Sequence, residues 1–246
     1  MKCQVLGVNF DNITMGEAVR RAGNMLAGGK ACYVVTPNTE IVWRCRSDAA
    51  LTEAIRGADM VLPDGIGVVY AARILGTPIR ERVPGIDFIT EIFRQVAGTG
   101  KGVFLLGAKP GVAEQAARNL TASHPGLNIC GTADGYFTDD AAVIDKINAS
   151  GADILLVCLG FPRQECWMHA NAHRINVKLM AGLGGSLDVF AGIVRRAPEK
   201  WQKLGLEWLY RLLENPARIK RMMVLPAFMA AVIRERLTGG RNKKER

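Results

Sequence analysis

An aspartate set directly behind a short apolar run is where chemistry can first be read in this chain. Residues 60–62 (Met-Val-Leu) read as a buried strand that stops at Pro63, and Asp64 follows with Gly65 and Gly67 behind it. Ligands of open α/β sheets gather beyond the carboxyl ends of the strands, so a carboxylate there faces a binding crevice. Asp64-Gly65 is also a turn pair, in which Asp bonds its own backbone and Gly supplies positive φ. Similar polar clusters follow other strand-like runs: Thr36/Asn38, Lys109, Tyr136, Arg163/Gln164 and Ser186/Asp188. One such cluster is an ordinary loop. Six of them, counting Asp64, are the arrangement of a doubly wound enzyme.

Other chemistries find less support. Gly107-x-x-x-Gly111 opens a helix whose unpaired N–H groups suit a phosphate or a ribose, although tight strand-to-helix packing explains the glycines as well. Neither this turn nor Gly65-x-Gly67 completes GxGxxG, which argues against a dinucleotide oxidoreductase. His169 and His173 sit four apart without the HExxH glutamate, and no Asp-x-Asp occurs. No metal and no cofactor are therefore expected. Cation-rich loops without a metal motif suggest a diphosphate neutralised by arginine, because one guanidinium can hold two phosphate oxygens. Arg82, Arg211, Arg218 and Arg221 are the candidates. Each is a surface charge when taken singly, and only together do they propose a reaction.

The elements that must position these residues alternate. Thr14-x-x-Glu17 is a capping box that opens an amphipathic helix to about residue 28. Strands are expected over 31–35, 60–62, 102–106, 127–130, 153–159 and 177–181, with helices between them. Strands alternating with helices of 10–15 residues imply βαβ units, hence an α/β, Rossmann-like, mostly parallel sheet flanked by helices. Residues 200–214 read as one helix with Lys200, Lys203, Glu207, Arg211 and Glu214 on a charged face. Asn215-Pro216 ends it and starts another, and residues 222–233 form a 12-residue run without charge.

Charge divides the chain at about residue 195. Residues 195–246 hold 14 Lys/Arg against 5 Asp/Glu, whereas residues 1–194 hold 18 of each. The expected division is a core over 1–194 and a basic, amphipathic, helical appendage over 195–246. A neutral body with a basic tail calls for a polyanionic partner. The run at 222–233 is far short of the roughly 20 residues that span a bilayer, and its flanking cations suit a segment lying in a membrane interface. A helical hairpin docked on the body with a solvated end explains the same pattern. A nucleic-acid-binding protein could use the tail, but it would need a recognition motif, and none is evident. Six scattered cysteines without CxxC read as reduced core residues of a cytosolic protein, and no N-terminal segment argues for secretion.

In order, Thr36-Pro-Asn38, Ala58-Asp-Met-Val-Leu-Pro-Asp-Gly-Ile-Gly67, Arg82-Val-Pro-Gly85 and Phe104-Leu-Leu-Gly-Ala-Lys-Pro-Gly111 carry a resemblance. Asp134-Gly-Tyr-Phe137, Gly160-Phe-Pro-Arg-Gln-Glu165, Gly184-Gly-Ser-Leu-Asp-Val-Phe190, Arg195-Arg-Ala-Pro198 and Gly205-Leu-Glu-Trp-Leu-Tyr-Arg211 complete it. Over about residues 7–237 the chain resembles the WecG/TagA/CpsF glycosyltransferases. The resemblance implies a peripheral enzyme on the cytoplasmic face of the bacterial cell membrane, working in envelope-polysaccharide synthesis of the teichoic acid type. It implies inverting, metal-independent transfer of N-acetylmannosamine from a UDP donor to the 4-hydroxyl of N-acetylglucosamine on undecaprenyl diphosphate. A uronic acid form or another hexose as donor fits the same motifs. It places the base on Asp64, polar pocket residues on Thr36, Asn38, Arg82 and Gln164, and arginines that complete the site on Arg211, Arg218 and Arg221. Tyr136 and Asp188 match loops expected near the uridine, and Arg163 stands where relatives often have Lys. The partners implied are the UDP-activated amino sugar, the lipid-linked acceptor and an anionic membrane surface, without nucleic acid. Monomer and homo-oligomer are both left open.

Overall fold

The computed structural model describes residues 2–216 and 219–242. The chain runs β1 (Lys2–Val5), β2 (Val8–Asp11), α1 (Met15–Ala27), β3 (Cys32–Val35), α2 (Thr39–Cys45), α3 (Ala49–Arg56), β4 (Met60–Val61), α4 (Ile66–Ile74) and α5 (Gly85–Val96). It continues β5 (Gly102–Gly107), α6 (Val112–Ser123), β6 (Asn128–Ala133), α7 (Asp140–Ala149), β7 (Ile154–Cys158), α8 (Arg163–Asn171), β8 (Leu179–Gly182) and α9 (Ser186–Phe190). The last elements are α10 (Glu199–Lys203), α11 (Glu207–Glu214), α12 (Ile219–Met222) and α13 (Val224–Asn242).

Strands β3 to β8 form one parallel sheet in the order β4-β3-β8-β7-β5-β6. Parallel strands joined by crossover helices are covered on both faces, which is why their sequences are continuous apolar runs. Side chains alternate between two cores, as the two-residue period of a strand requires. Tyr33, Val35, Phe104, Leu106, Leu155 and Val157 point to one core, shared with α2, α3, α4, α7, α8 and α13. Val34, Val103, Leu105, Ile154 and Leu156 point to the other, shared with α1, α5, α6 and α9. The result is a three-layer, Rossmann-like α/β fold.

Local contacts aim the strand ends. The Thr14 capping box is formed, with Thr14 Oγ1 accepting from the Glu17 N–H at 3.3 Å and Glu17 Oε2 accepting from the Thr14 N–H at 2.8 Å. Buried Asp11 accepts the Val61 N–H at 2.9 Å and pairs with Arg21, also at 2.9 Å. That carboxylate pins the edge strand β4, whose end carries Asp64. Asp11 belongs to an antiparallel hairpin, β1–β2, that packs on the first core. Leu6 (φ 46°) and Gly7 (φ 87°) form its two-residue turn with both φ values positive, the geometry that matches hairpin twist.

The C-terminal region departs from the expectation of one helix over 200–214. It is two helices, α10 and α11, broken at Gly205 (φ 71°). The Leu206 N–H bonds the Trp201 carbonyl at 2.8 Å and the Gly205 N–H bonds the Gln202 carbonyl at 3.0 Å, the paired closure of a helix whose last residue is left-handed. A Cβ on Gly205 would lie 2.9 Å from Ile66 Cγ1, so close packing and handedness both require glycine.

Helix α13 docks on α2 and α4 through fully buried Phe228 and Val232, and Pro226 is tolerated because it lies in the first turn. Within residues 222–233 one face is docked, while Met223 and Ile233 are exposed. No helix of the described residues is long and apolar enough to cross a membrane. All six cysteines are free thiols. Phe228→Ala removes the main anchor of α13 and is expected to cost about 3–5 kcal/mol of docking. Limited proteolysis should then cleave within 219–242 well before the body, and a digestion pattern like the wild type's would contradict this packing.

Candidate active site

At the carboxyl ends of β3, β4 and β8 the chain leaves a cleft of about 430 Å³. Its floor is polar: Thr36, Asn38, Asp64, Arg82, Ser186, Glu207 and Arg211 line it. Thr36 ends β3 and donates to the Gly182 carbonyl at 3.1 Å, tying β3 to β8. Asn38 caps α2, its side-chain oxygen accepting from the N–H groups of Glu40 and Ile41 at 3.0 and 3.1 Å. Its amide NH₂ is thus the end it can offer to a ligand. Gly67 sits against Thr39, where a Cβ would lie 2.5 Å from Thr39 Cγ2, so the segment after Asp64 can lie on α2 only as glycine.

Asp64 is held from behind. The Val83 N–H bonds the Pro63 carbonyl at 3.0 Å, which brings the loop at 82–85 alongside. Arg82 Nε then donates to the Asp64 carbonyl at 2.5 Å, and Arg82 Nη2 lies 3.5 Å from Asp64 Oδ1. The carboxyl keeps 34% of its side-chain surface accessible and lies on the cleft wall. Surrounding protein nevertheless pushes its pKa above the usual aspartate value; Arg82 opposes the shift, Glu207 adds to it, and Arg211 and the Gly85 N–H oppose it.

The same arginine reaches the C-terminal region. Arg82 Nη2 pairs with Glu207 Oε2 at 3.0 Å, and Glu207 Oε1 pairs with Arg211 Nη2 at 2.5 Å, one turn on in α11. Glu207 is only 7% exposed. Burial alone would raise its pKa, but Arg211 and then Arg82 outweigh that and hold it below the usual glutamate range. Asp64, Arg82, Glu207 and Arg211 form one charge chain across the cleft. Around it lie Ile66, Tyr70, Trp208, Met222, Leu225 and Met229, an apolar flank drawn from α4 and from the helices after residue 199.

The remaining expected site residues lie elsewhere. Gln164 is buried beneath the cleft: its Oε1 accepts the Gly184 N–H at 2.9 Å and its Nε2 donates to buried Glu165 at 2.7 Å. It holds the loop from which Gly185 and Ser186 reach the cleft. Lys109, Tyr136 and Asp188 belong to a second group of loops. After β5 the chain turns toward β6, and after β7 it turns the other way toward β8, so a switch-point crevice is expected at the ends of β5 and β7. Lys109 and the 134–137 loop stand there. Burial raises the pKa of Asp188 and Lys109 lowers it, which places those two side chains within electrostatic reach of each other. Arg163 clasps the 134–137 loop by donating to the Gly135 and Phe137 carbonyls at 2.5 and 3.1 Å, while Tyr136 stays 66% exposed. Arg221 lies in α12, where only its backbone is described, and Arg218 lies outside the described residues.

Helical spacing places Glu207 among the charges of one helix face. The signal that could have placed it inside was its spacing from Arg211 within Gly205-Leu-Glu-Trp-Leu-Tyr-Arg211, a pair directly behind a helix-breaking glycine.

A carboxylate beside a fork of arginines at the strand ends can take a proton from an attacking hydroxyl while the arginines steady a departing anion. Comparison with known proteins identifies the family. The model of the glycosyl transferase WecG/TagA/CpsF family matches residues 3–242. The chain belongs to the WecG/TagA/CpsF glycosyltransferase family. Similar relatives carry the name N-acetylglucosaminyldiphosphoundecaprenol N-acetyl-beta-D-mannosaminyltransferase. One from Bacillus spizizenii is 39% identical over 205 residues, covering 83% of this chain and 80% of the relative. One from Staphylococcus aureus is 36% identical over 230 residues, covering 93% and 91%. One from Bacillus subtilis is 36% identical over 211 residues, covering 86% and 81%. This chain is a glycosyltransferase.

The raised pKa of Asp64 gives a stability prediction whose sign is fixed. A carboxyl that binds its proton more tightly when folded favours the native state most below the unfolded value of about 3.9, and that contribution is lost as pH rises past the folded value. The ionised form of Asp64 is therefore the one that costs the fold stability. Asp64→Asn should melt at the same temperature as the wild type or higher at pH 7, and the difference should vanish in acid. A lower Tm at pH 7 would contradict the electrostatics described.

Proposed function

We propose that the enzyme transfers N-acetylmannosamine from UDP-N-acetylmannosamine to the 4-hydroxyl of N-acetylglucosamine on undecaprenyl diphosphate, with inversion and without a metal. The observation that carries this reading is Asp64 beside the Arg82–Glu207–Arg211 chain in one cleft. The printed names of the relatives supply the acceptor and the sugar.

Asp64 takes the proton of the acceptor hydroxyl as its oxygen attacks the anomeric carbon from the face opposite UDP. The bond from that carbon to the β-phosphate oxygen breaks, its electron pair leaves with UDP, and the configuration inverts. A raised pKa makes Asp64 a stronger base than an exposed aspartate. Arg82 and Arg211 meet the charge that develops on the leaving diphosphate. Arg218 and Arg221 are assigned to the same task, since they follow closely on α11. Thr36 and Asn38 orient the sugars, and Gln164 acts from below by fixing the loop after β8. Lys109, Tyr136 and Asp188 are assigned to the nucleotide end of the donor, at the crevice between β5 and β7.

Residues 195–246 act in this reading as an appendage that docks the enzyme on the cytoplasmic face of the membrane, in cell-envelope polysaccharide synthesis of the teichoic acid type. Their basic charge supports this, as do exposed Leu204, Leu213, Ile219 and Met223.

Asp64→Asn should bind donor normally but lose about 10²–10⁴-fold in turnover, measured with a panel of UDP-sugars and a soluble undecaprenyl-diphosphate-GlcNAc analogue. Near-normal turnover would remove Asp64 as base, and a preference for the uronic acid donor would correct the sugar. EDTA should leave the rate unchanged, and a loss restored by added divalent metal would take the leaving-group role from the arginines. Leu213→Glu with Met223→Glu should reduce sedimentation with anionic vesicles in low salt, and unchanged sedimentation would place the docking surface elsewhere.

A further inference from the structure

Glu207 is a buried, charged side chain of the cleft that the transfer step does not use. It is ionised, closed off from solvent and shared between two guanidinium groups at 3.0 and 2.5 Å. One of those arginines belongs to the loop beside Asp64 and the other to α11, 129 residues later in the numbering of Arg82 and Arg211. A carboxylate in that position supplies to the arginines what a phosphate oxygen would supply: a planar or forked anion accepting from both. Its negative charge has two consequences. It keeps two flexible cations fixed side by side when no substrate is bound. It also subtracts one charge from their attraction for any anion that enters.

We infer that Glu207 is a positioning residue of the transfer site, a resident counter-anion that holds Arg82 and Arg211 as a fork for the substrate diphosphate and moderates their grip on the diphosphate that leaves. The inference rests on the reading of the cleft as a nucleotide-sugar site. Two effects of removing the charge oppose each other. Losing the brace lets the arginines wander, which weakens anion binding. Losing the like charge at contact distance strengthens it, and inside a partly enclosed cleft against an anion of two or more charges this second effect is the larger.

The test is calorimetric titration of the full-length protein with inorganic pyrophosphate, and separately with UDP, at fixed ionic strength. Glu207→Gln keeps the shape of the side chain and removes its charge. It should bind pyrophosphate about tenfold more tightly than the wild type. With donor and acceptor, it should show a lower KM for the donor together with a lower kcat, because product leaves more slowly. The acidic limb of its pH–rate profile should move to lower pH, because Glu207 no longer raises the proton affinity of Asp64. Glu207→Met also removes the charge at a similar side-chain length and should likewise bind pyrophosphate more tightly than the wild type, so it carries the test if the glutamine variant does not fold. Pyrophosphate affinity equal to or weaker than that of the wild type, in whichever variant folds, would overturn the inference; so would failure of the wild type to bind pyrophosphate. Pyrophosphate binding that tightens as expected, with no UDP binding by the wild type, would support the counter-anion and overturn the nucleotide-sugar reading instead.

Discussion

A carboxylate enclosed between two guanidinium groups is stable only while all three are present and charged, because removing one leaves an uncompensated charge inside the protein. Glu207 is in that position, and its two partners come from parts of the chain that local structure could never bring together: Arg82 sits in the loop between α4 and α5, and Arg211 sits in α11, after the last strand of the sheet. The pairing therefore fixes where α11 must lie. It also fixes the electrostatics of Asp64, whose carboxyl feels Arg82, Glu207 and Arg211 in turn. The C-terminal helices are part of the site's wall, with Glu207, Trp208, Arg211, Met222, Leu225 and Met229 all facing the cleft.

The rest of the fold can be understood as what holds the two ends of that chain of charges in reach. Asp11 pins β4 from the hairpin side, Pro63 pairs with Val83 to fold the Arg82 loop back, and Thr36 ties β3 to β8. On the other side, Arg196 forms a two-pronged ion pair with Asp87 in the first turn of α5, at 2.5 and 2.7 Å, which anchors the segment leading into α10. Phe228 and Val232 then hold α13 against α2 and α4. The surroundings that raise the proton affinity of Asp64 also make its ionised form costly to the fold.

What could be read in the sequence was what short-range rules govern. Continuous apolar runs separated by helical periodicity gave the parallel sheet, since strands buried on both faces have no polar side to show. Position after a strand gave Thr36, Asn38 and Asp64, the need for cations to neutralise a diphosphate gave Arg82, and all four line one cleft. Three things escaped because they depend on tertiary context. The hairpin β1–β2 is two four-residue strands around Leu6-Gly7, too short for periodicity to stand out. The break at Gly205 hid inside a pattern that is amphipathic on both sides of it. Glu207 lay on a face that helical spacing marks as solvated, and only the approach of Arg82 from 125 residues away makes it interior. Lys109, Tyr136 and Asp188 also follow strands, but the order of those strands, which no local signal reveals, sets them at another crevice.

The Arg82–Glu207–Arg211 chain joins the body and the C-terminal helices in one electrostatic unit. A double-mutant cycle on turnover, with Arg82→Gln, Arg211→Gln and the pair, measures that directly. If the two arginines act on one leaving diphosphate through one shared carboxylate, either change alone should remove most of the rate and the pair should add little. Losses that multiply independently would mean that the two halves of the cleft work apart, and would contradict the account.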